Sequence, residues 1–262
     1  MKVWNMKDFF KKILVEQLGE TINVEDFYNN SPLLKYLDSK MGAIYGNSKS
    51  RRSLANIYAV YSIIYFYVEE FFSNKESYKN FGGYDYTKLF NFYRGLYGGS
   101  KLQNHALNSR VNGEFKNKIV SEHDNDLIIV NNGKYALHIE YLYVDHIDIS
   151  KIAKKAIEEY IAILELKDSK LIGDINLLIN LETTDEKKTK LKELLDEDSE
   201  ARIFEIISYA ILKNHYKNIK IYIGYSTETL KEEYLTLYRT GRTNANDGGI
   251  DFVMSPLGRF FK

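Results

Sequence analysis

One stretch decides the fold at the end of this chain: Asn246-Asp247-Gly248-Gly249-Ile250-Asp251-Phe252-Val253-Met254-Ser255-Pro256-Leu257-Gly258-Arg259-Phe260-Phe261-Lys262. A glycine pair leads into an apolar segment from Ile250 to Met254, a Pro–Gly turn follows, and a second apolar segment begins at Arg259. Short apolar segments joined by such a turn are typical of paired β-strands. The sequence therefore predicts two adjacent strands here, with the carboxylate of Asp251 near the start of the first.

The composition allows a large core and excludes several kinds of site. The chain has 262 residues, of which 44% are hydrophobic and 14% aromatic, which suits one large domain or two small ones. It contains no cysteine, so disulfides, zinc–thiolate sites and cysteine nucleophiles are excluded. The formal net charge is zero, which argues against a uniformly basic nucleic-acid binder but leaves room for a local basic face.

No segment of the sequence predicts a membrane span or a secretion signal. The N-terminus lacks an apolar signal core. The longest apolar stretch, Ile57 to Val68, is interrupted by Ser62 and is too short to cross a bilayer. We therefore expect a cytoplasmic protein with no membrane partner.

Residues 1–170 are predicted to form a mostly helical N-terminal domain. Apolar residues recur at helical spacing from Met6 to Leu18 and from Ser53 to Phe72. Ser31-Pro32 opens a further helix, because proline is favoured in the first turn. The last predicted helix of this series runs from Lys101 to Lys118.

A helix followed by a hairpin ends this domain and resembles a winged-helix DNA-binding module. Leu127 to Val130 and Lys134 to Val144 are predicted strands, joined by the strong turn signal Asn131-Asn132-Gly133. In this interpretation Lys134 lies at the wing tip. The recognition helix offers amide, imidazole and guanidinium groups able to pair with base edges: Gln103, Asn104, His105, Asn108, Arg110 and Asn112. The alternative is a polar surface helix beside an ordinary hairpin.

Residues 171–262 are predicted to form a second domain of mixed helices and strands. Its predicted elements are a helix from Ala201 to Asn214, a strand from Lys220 to Ile223, a helix from Ser226 to Tyr238, a polar loop from Arg239 to Gly249, and the two final strands. The charge-rich run from Thr183 to Glu200 is interpreted as a solvated helix or a linker.

Three residues of the second domain could support phosphodiester hydrolysis, which needs a metal held by carboxylates, an activated water and positive charge near the scissile phosphate. Asp251 follows a glycine pair that lets the backbone approach DNA closely. Glu205 lies on the preceding predicted helix, and Lys262 follows Asp251 by eleven residues across one turn. Mg²⁺ prefers oxygen ligands and keeps several of its waters, so few carboxylates suffice for it.

These segments resemble the PD-(D/E)XK nuclease superfamily and, more closely, the type II restriction endonucleases. The resemblance lies in Phe204-Glu205, in Asp247-Gly248-Gly249-Ile250-Asp251-Phe252-Val253 and in Gly258-Arg259-Phe260-Phe261, with further similarity in Lys101 to Val111 and in Arg239 to Asn246. It implies Asp251 as the central metal ligand, Glu205 as an assisting acid, Mg²⁺ as cofactor and double-stranded DNA as substrate. It also implies a homodimer, since two-fold protein symmetry matches a palindromic site.

The sequence departs from the family pattern at the final strand. The family places an acidic or amide residue, one spacer and then a lysine there, whereas this strand reads Arg259-Phe260-Phe261-Lys262. Either Lys262 is the family lysine and Glu205 replaces the missing acid, or Lys262 stands at the acid position and the chain is truncated. The second interpretation implies an incomplete nuclease domain.

The expected fold is therefore α+β: a mostly helical domain with a winged-helix-like helix–hairpin unit, followed by an α/β restriction-endonuclease-like domain. The expected function is a hydrolase, a sequence-specific DNA endonuclease of a restriction system. Arg239 and Arg242 are expected to bind phosphate, or else to be solvated loop residues. The alternatives are a DNA-binding module whose nuclease half does not cleave, and a helical protein-interaction domain with no DNA role.

Overall fold

The computed structural model describes residues 6–19, 22–42, 50–101, 108–119, 124–195, 201–239 and 252–261. The chain divides into two compact units, Met1–Ser169 and Lys170–Lys262, called unit 1 and unit 2 below. Their described elements are helices and small antiparallel sheets, so the fold is α+β. No described helix combines the length and apolar character that a membrane span requires.

Unit 1 is built largely from helices around one apolar core. Its helices α1 to α7 are Met6–Leu18, Val24–Asn29, Pro32–Met41, Ser50–Phe71, Lys75–Lys79, Tyr86–Arg94 and Ser109–Lys118. The predicted opening of a helix at Ser31-Pro32 is confirmed: the Ser31 hydroxyl accepts a bond from the Leu34 amide, and Pro32 occupies the first turn, where its missing N–H is not needed. The apolar stripe of α4 is buried, as its helical spacing predicts.

A three-stranded antiparallel sheet packs with these helices. Its strands are β1 (Tyr84–Asp85), β2 (Ile128–Asn131) and β3 (Lys134–Leu137), in the order β1-β3-β2. Asn132 and Gly133 both have left-handed backbone angles, φ 51° and 76°, which match the two-residue turn predicted for the β2–β3 hairpin. The predicted strand from Lys134 to Val144 is wrong in its second half, because a 3-10 turn at Ile139–Leu142 separates β3 from β4 (Tyr143–Val144).

The short hairpin of β4 with β5 (Ile147–Asp148) leads into α8 (Ser150–Asn180), which begins in unit 1 and ends in unit 2. Unit 2 continues with α9 (Thr184–Leu194) and α10 (Ala201–Tyr216). The charge-rich run after Thr183 is a helix over its described part, opened by a capping box in which Thr183 and Glu186 satisfy each other's backbone amides.

The strands of unit 2 form two separate antiparallel sheets. β6 (Lys220–Ile223) pairs with β7 (Lys231–Tyr234), and β9 (Phe252–Ser255) lies between β8 (Thr236–Arg239) and β10 (Arg259–Phe261). The predicted helix from Ser226 to Tyr238 is wrong, since this segment contains a 3-10 turn and the strands β7 and β8. The predicted pairing of the two final strands is observed between β9 and β10.

Candidate functional site

The candidate nuclease site lies where helix α10 packs on the sheet β8-β9-β10. Leu237, Phe252 and Met254 are buried on one face of this sheet. The Tyr209 ring of α10 lies 5.5 Å from the Phe252 ring, and its hydroxyl donates to the Leu237 carbonyl at 3.3 Å. Because alternate residues of a strand share a face, Arg239 points to the same side as Leu237, toward α10.

Glu205 and Arg239 meet on this face. A Glu205 carboxylate oxygen lies 2.6 Å from an Arg239 guanidinium nitrogen, and the two side chains are 22% and 39% exposed. The structure thus joins two residues that the sequence analysis named for different tasks, one as a carboxylate for metal and one as a phosphate-binding cation. A partly exposed pair of this kind contributes little to stability, because solvent screens its charges.

The strand register defines what surrounds this pair. Arg239 is paired with Phe252, and Phe252 is paired with Phe261, so the three residues form one row across the sheet. Asp251 precedes Phe252 in the chain, and Lys262 follows Phe261. Asp251, Lys262 and Arg242 lie outside the described residues, so the described part of the predicted site consists of Glu205 and Arg239.

The described residues contain no group of three or more His, Asp or Glu side chains arranged to hold a metal ion. At the candidate site they provide the Glu205 carboxylate. Oxygen ligands from carboxylates suit Mg²⁺, which retains waters for the remaining positions. The described residues thus provide one carboxylate at this place, paired with Arg239, and the second predicted ligand, Asp251, lies outside them.

The second candidate region is the helix–hairpin unit of α7 with β2 and β3. Arg110 on α7 and Lys134 at the hairpin turn are both exposed. Arg110 pairs with Glu114 at 3.1 Å, and Lys116 with Asp126 at 3.0 Å. The hydrogen bond and charge of Asp126 raise the pKa of Lys116 above its usual range. The helix and the hairpin turn therefore each present an exposed cation.

The other residues predicted for DNA recognition lie outside the described residues, in the turn before α7, or on the inner face of α7. Gln103, Asn104 and His105 lie outside the described residues. Asn108 is half-buried in the turn before α7. This helix begins at Ser109, and Lys101 ends a 3-10 turn. The predicted start of an α-helix at Lys101 is therefore wrong at these described residues.

Asn112 was expected to offer its amide to bases, and this expectation is wrong. Its side chain is 6% exposed. The amide nitrogen donates to the Ile128 carbonyl at 2.8 Å, and the amide oxygen accepts from the Ile128 N–H at 2.9 Å. The spacing of Asn112 with Phe115 and Ile119, at intervals of three and four residues, is the sequence signal that this side chain lies on the inner face of α7.

Comparison with protein-family models, with curated proteins and with solved structures returned no match to this chain.

Proposed function

We propose that this protein is a Mg²⁺-dependent, sequence-specific DNA endonuclease in which unit 1 binds duplex DNA and unit 2 cleaves it. Asp251 and Glu205 are the metal-binding carboxylates, and Lys262 is the cation beside the scissile phosphate. Arg239 and Arg242 contact phosphates, while Gln103, Asn104, His105, Asn108, Arg110 and Lys134 contact the duplex. The single observation that supports the cleavage half is the Glu205–Arg239 contact on α10 and β8, in register with the strands that lead to Asp251 and Lys262.

Residues directly opposite each other in an antiparallel ladder have side chains on the same face, about 5 Å apart. Phe252 is opposite Phe261. Asp251 precedes Phe252 and Lys262 follows Phe261 in the chain, and we propose that this carboxylate and this ammonium act together. A metal-bound phosphate needs both charges at one place.

Each group then has a defined task. Asp251 and Glu205 would hold a Mg²⁺ ion, which would stabilise negative charge on the phosphate and lower the pKa of a coordinated water. The Lys262 ammonium would balance charge on the phosphate, and the two arginines would hold the flanking backbone. Glu205 would be available to the ion once Arg239 contacts a DNA phosphate instead.

The role of Glu205 is tested separately from that of Asp251, because Glu205 pairs with Arg239 in the structure. If Glu205→Gln cleaves as well as wild type while Asp251→Asn does not, Glu205 is a structural partner of Arg239 and not a metal ligand.

The test of the proposal is cleavage of supercoiled plasmid with Mg²⁺ by the wild-type chain and by Asp251→Asn. We expect discrete, EDTA-sensitive cutting by the wild type and background cutting by the variant. The matched control is Asp185→Asn, which removes an exposed carboxylate from α9. Equal cutting by all three proteins, or none by the wild type, contradicts the proposal. Sedimentation with a palindromic duplex tests the proposed homodimer.

The second candidate function is duplex binding without cleavage. It is favoured by the element order of unit 1, which apart from the short helix α5 between α4 and β1 is helix α4, strand β1, helices α6 and α7, then the hairpin β2–β3, with β1 paired to β3. This is the order of a winged-helix module, and Arg110 and Lys134 provide its exposed cations. Salt-sensitive binding of duplex with no cutting under any divalent metal supports this function over the first.

A further inference from the structure

Two side chains from different helices hold the base of the β2–β3 hairpin. The Tyr78 hydroxyl on α5 donates to the Leu137 carbonyl at 3.2 Å and accepts from the Leu137 N–H at 2.9 Å. Asn112 on α7 makes the equivalent pair of bonds to Ile128, at 2.8 and 2.9 Å. Ile128 and Leu137 are themselves register partners, so one rung of the ladder is extended at both ends by a side chain.

The turn explains why this rung needs outside partners. In an antiparallel hairpin, opposite residues alternate between pairs that bond to each other and pairs whose N–H and C=O groups point outward. A two-residue turn makes Asn131 and Lys134 the first bonded pair, so the outward pairs are Val130 with Tyr135 and Ile128 with Leu137. The position of the turn thus determines which backbone N–H and C=O groups point outward and can bond to Asn112 and Tyr78.

The bonds are buried and therefore sensitive to the exact position of the strands. Tyr78 is 4% exposed and Asn112 is 6% exposed. Loss of either side chain would leave a buried backbone N–H and C=O without a hydrogen-bond partner, which is strongly disfavoured. The hairpin base is consequently fixed to α5 on one side and to α7 on the other.

We propose that Asn112 and Tyr78 are positioning residues, which hold the hairpin at one angle to α7 so that Arg110 and Lys134 contact the same duplex. This inference rests on the proposed duplex binding by unit 1. The turn residue Asn132 is the fourth residue after Ile128, a span of about 13 Å at strand spacing. A rotation of about 15° at the base moves the tip by about 3 Å, roughly the length of a hydrogen bond, and separates Lys134 from a phosphate.

The test uses Tyr78→Phe, which removes one hydroxyl and keeps the ring. Binding to a blunt mixed-sequence duplex is measured by fluorescence anisotropy over a range of salt concentrations, at a temperature where each variant is folded. Each lost phosphate contact lowers the slope of log affinity against log salt by about one. We expect Lys134→Ala to lower the slope by about one and to weaken binding about three- to tenfold. We expect Tyr78→Phe to do the same, and the double variant to show no further loss.

The matched control is Tyr58→Phe, which removes a buried hydroxyl that donates to the Tyr97 carbonyl at 2.6 Å, away from the hairpin. It is expected to keep the wild-type slope. Asn112→Leu is the second positioning variant, and Tyr78→Phe decides the question by itself if Asn112→Leu does not fold. A wild-type slope in Tyr78→Phe, additive effects with Lys134→Ala, or an equal loss in Tyr58→Phe overturns the inference while duplex binding stands. Absence of wild-type binding instead overturns the proposed function.

Discussion

Unit 1 and unit 2 bury their apolar side chains in different ways. Unit 1 has one core that runs through α1, α3, α4 and the sheet, and includes fully buried tyrosines such as Tyr67 and Tyr160. In the described part of unit 2 the buried side chains form two small clusters, one around Leu171, Leu194, Ile203 and Ile207 and one around Leu235, Leu237, Phe252 and Met254.

The exposed apolar side chains show the same contrast. Within the described residues, large hydrophobic side chains that are exposed in unit 1 are Val130 and Leu166, whereas unit 2 exposes Ile172, Ile179, Phe204, Ile211 and Tyr222 among others. Apolar area removed from water contributes about 25 cal/mol per Å², so the described part of unit 1 gains more per residue. We therefore expect unit 1 to be the more stable part, and the predictions below test this difference in order of decreasing effect.

The largest expected effect compares two isoleucines on the same helix, α8. Ile157 is 0% exposed in unit 1, and Ile172 is 59% exposed in unit 2. We expect Ile157→Ala to lower the free energy of unfolding by about 2–5 kcal/mol, because it leaves a cavity, and Ile172→Ala to change it by less than about 0.5 kcal/mol. Urea denaturation followed by circular dichroism measures both. Similar losses at the two positions contradict the comparison.

The second prediction concerns alkaline pH. Burial raises the pKa of Tyr160 to about 12, whereas tyrosine in an unfolded chain has a pKa of about 10. Between these values the unfolded chain has released a proton that the folded chain keeps, so stability is lost as pH rises from 10 toward 12, by about 2–3 kcal/mol for this residue. Burial also raises the pKa of Tyr58 and Tyr78, which adds to the loss.

Thermal melting of Tyr160→Phe at pH 8 and pH 11 checks this. The buried Tyr160 hydroxyl has no hydrogen-bond partner among the described residues, so the variant is expected to match wild type at pH 8 and to melt higher at pH 11. Tyr222→Phe, which changes an exposed residue of unit 2, is the control. A parallel pH dependence in Tyr160→Phe and wild type means that this tyrosine is not the cause.

The third prediction tests the turn of the hairpin in unit 1. Gly133 has φ 76°, and a Cβ added there meets no atom within 4 Å, so Gly133→Ala is opposed only by the left-handed backbone. We expect a loss of about 1 kcal/mol. Gly113→Ala, within helix α7 and equally free of contacts, is expected to stabilise the protein by about 0.5–1 kcal/mol. Chemical denaturation of both variants measures the two changes in the free energy of unfolding. Changes of the same sign refute the turn assignment.

The smallest effect is expected for the ion pair of unit 2. Glu205 and Arg239 keep partial contact with solvent, so their interaction is worth about 0.5–1 kcal/mol and weakens with added salt. A double-mutant cycle of Glu205→Gln and Arg239→Gln measures it. A coupling energy above about 2 kcal/mol shows that the pair is held more tightly than its exposure indicates.

The sequence predicted the elements whose signal is local. Helix α10, the cap at Ser31 and the Asn132-Gly133 turn depend on periodicity, capping chemistry and left-handed backbone, all of which a short segment carries. It failed for β7 and β8, which were predicted as a helix. β7 pairs with the neighbouring strand β6 through a hairpin, and β8 pairs with β9 across a longer connection. Pairing between strands overrides the local helical propensity of such segments.

The candidate site divides in the same way. Glu205 and Arg239 were each named from the sequence, but their contact joins positions on α10 and β8 and depends on how these elements pack. The roles of Asn112 and Tyr78 were missed because they depend on which rung of a ladder points outward. Only the position of Asn112 within the apolar spacing of α7 carried a signal, whereas Tyr78 is one of 22 tyrosines in the chain.

The bonds of Asn112 also affect what this protein can associate with. β2 is the outermost strand of its sheet, and unpaired backbone groups on such a strand invite a foreign strand to add to it. Asn112 already satisfies the N–H and C=O of Ile128. An incoming strand would have to displace a buried amide at that point. This asparagine therefore opposes aggregation by strand addition at the edge of the sheet.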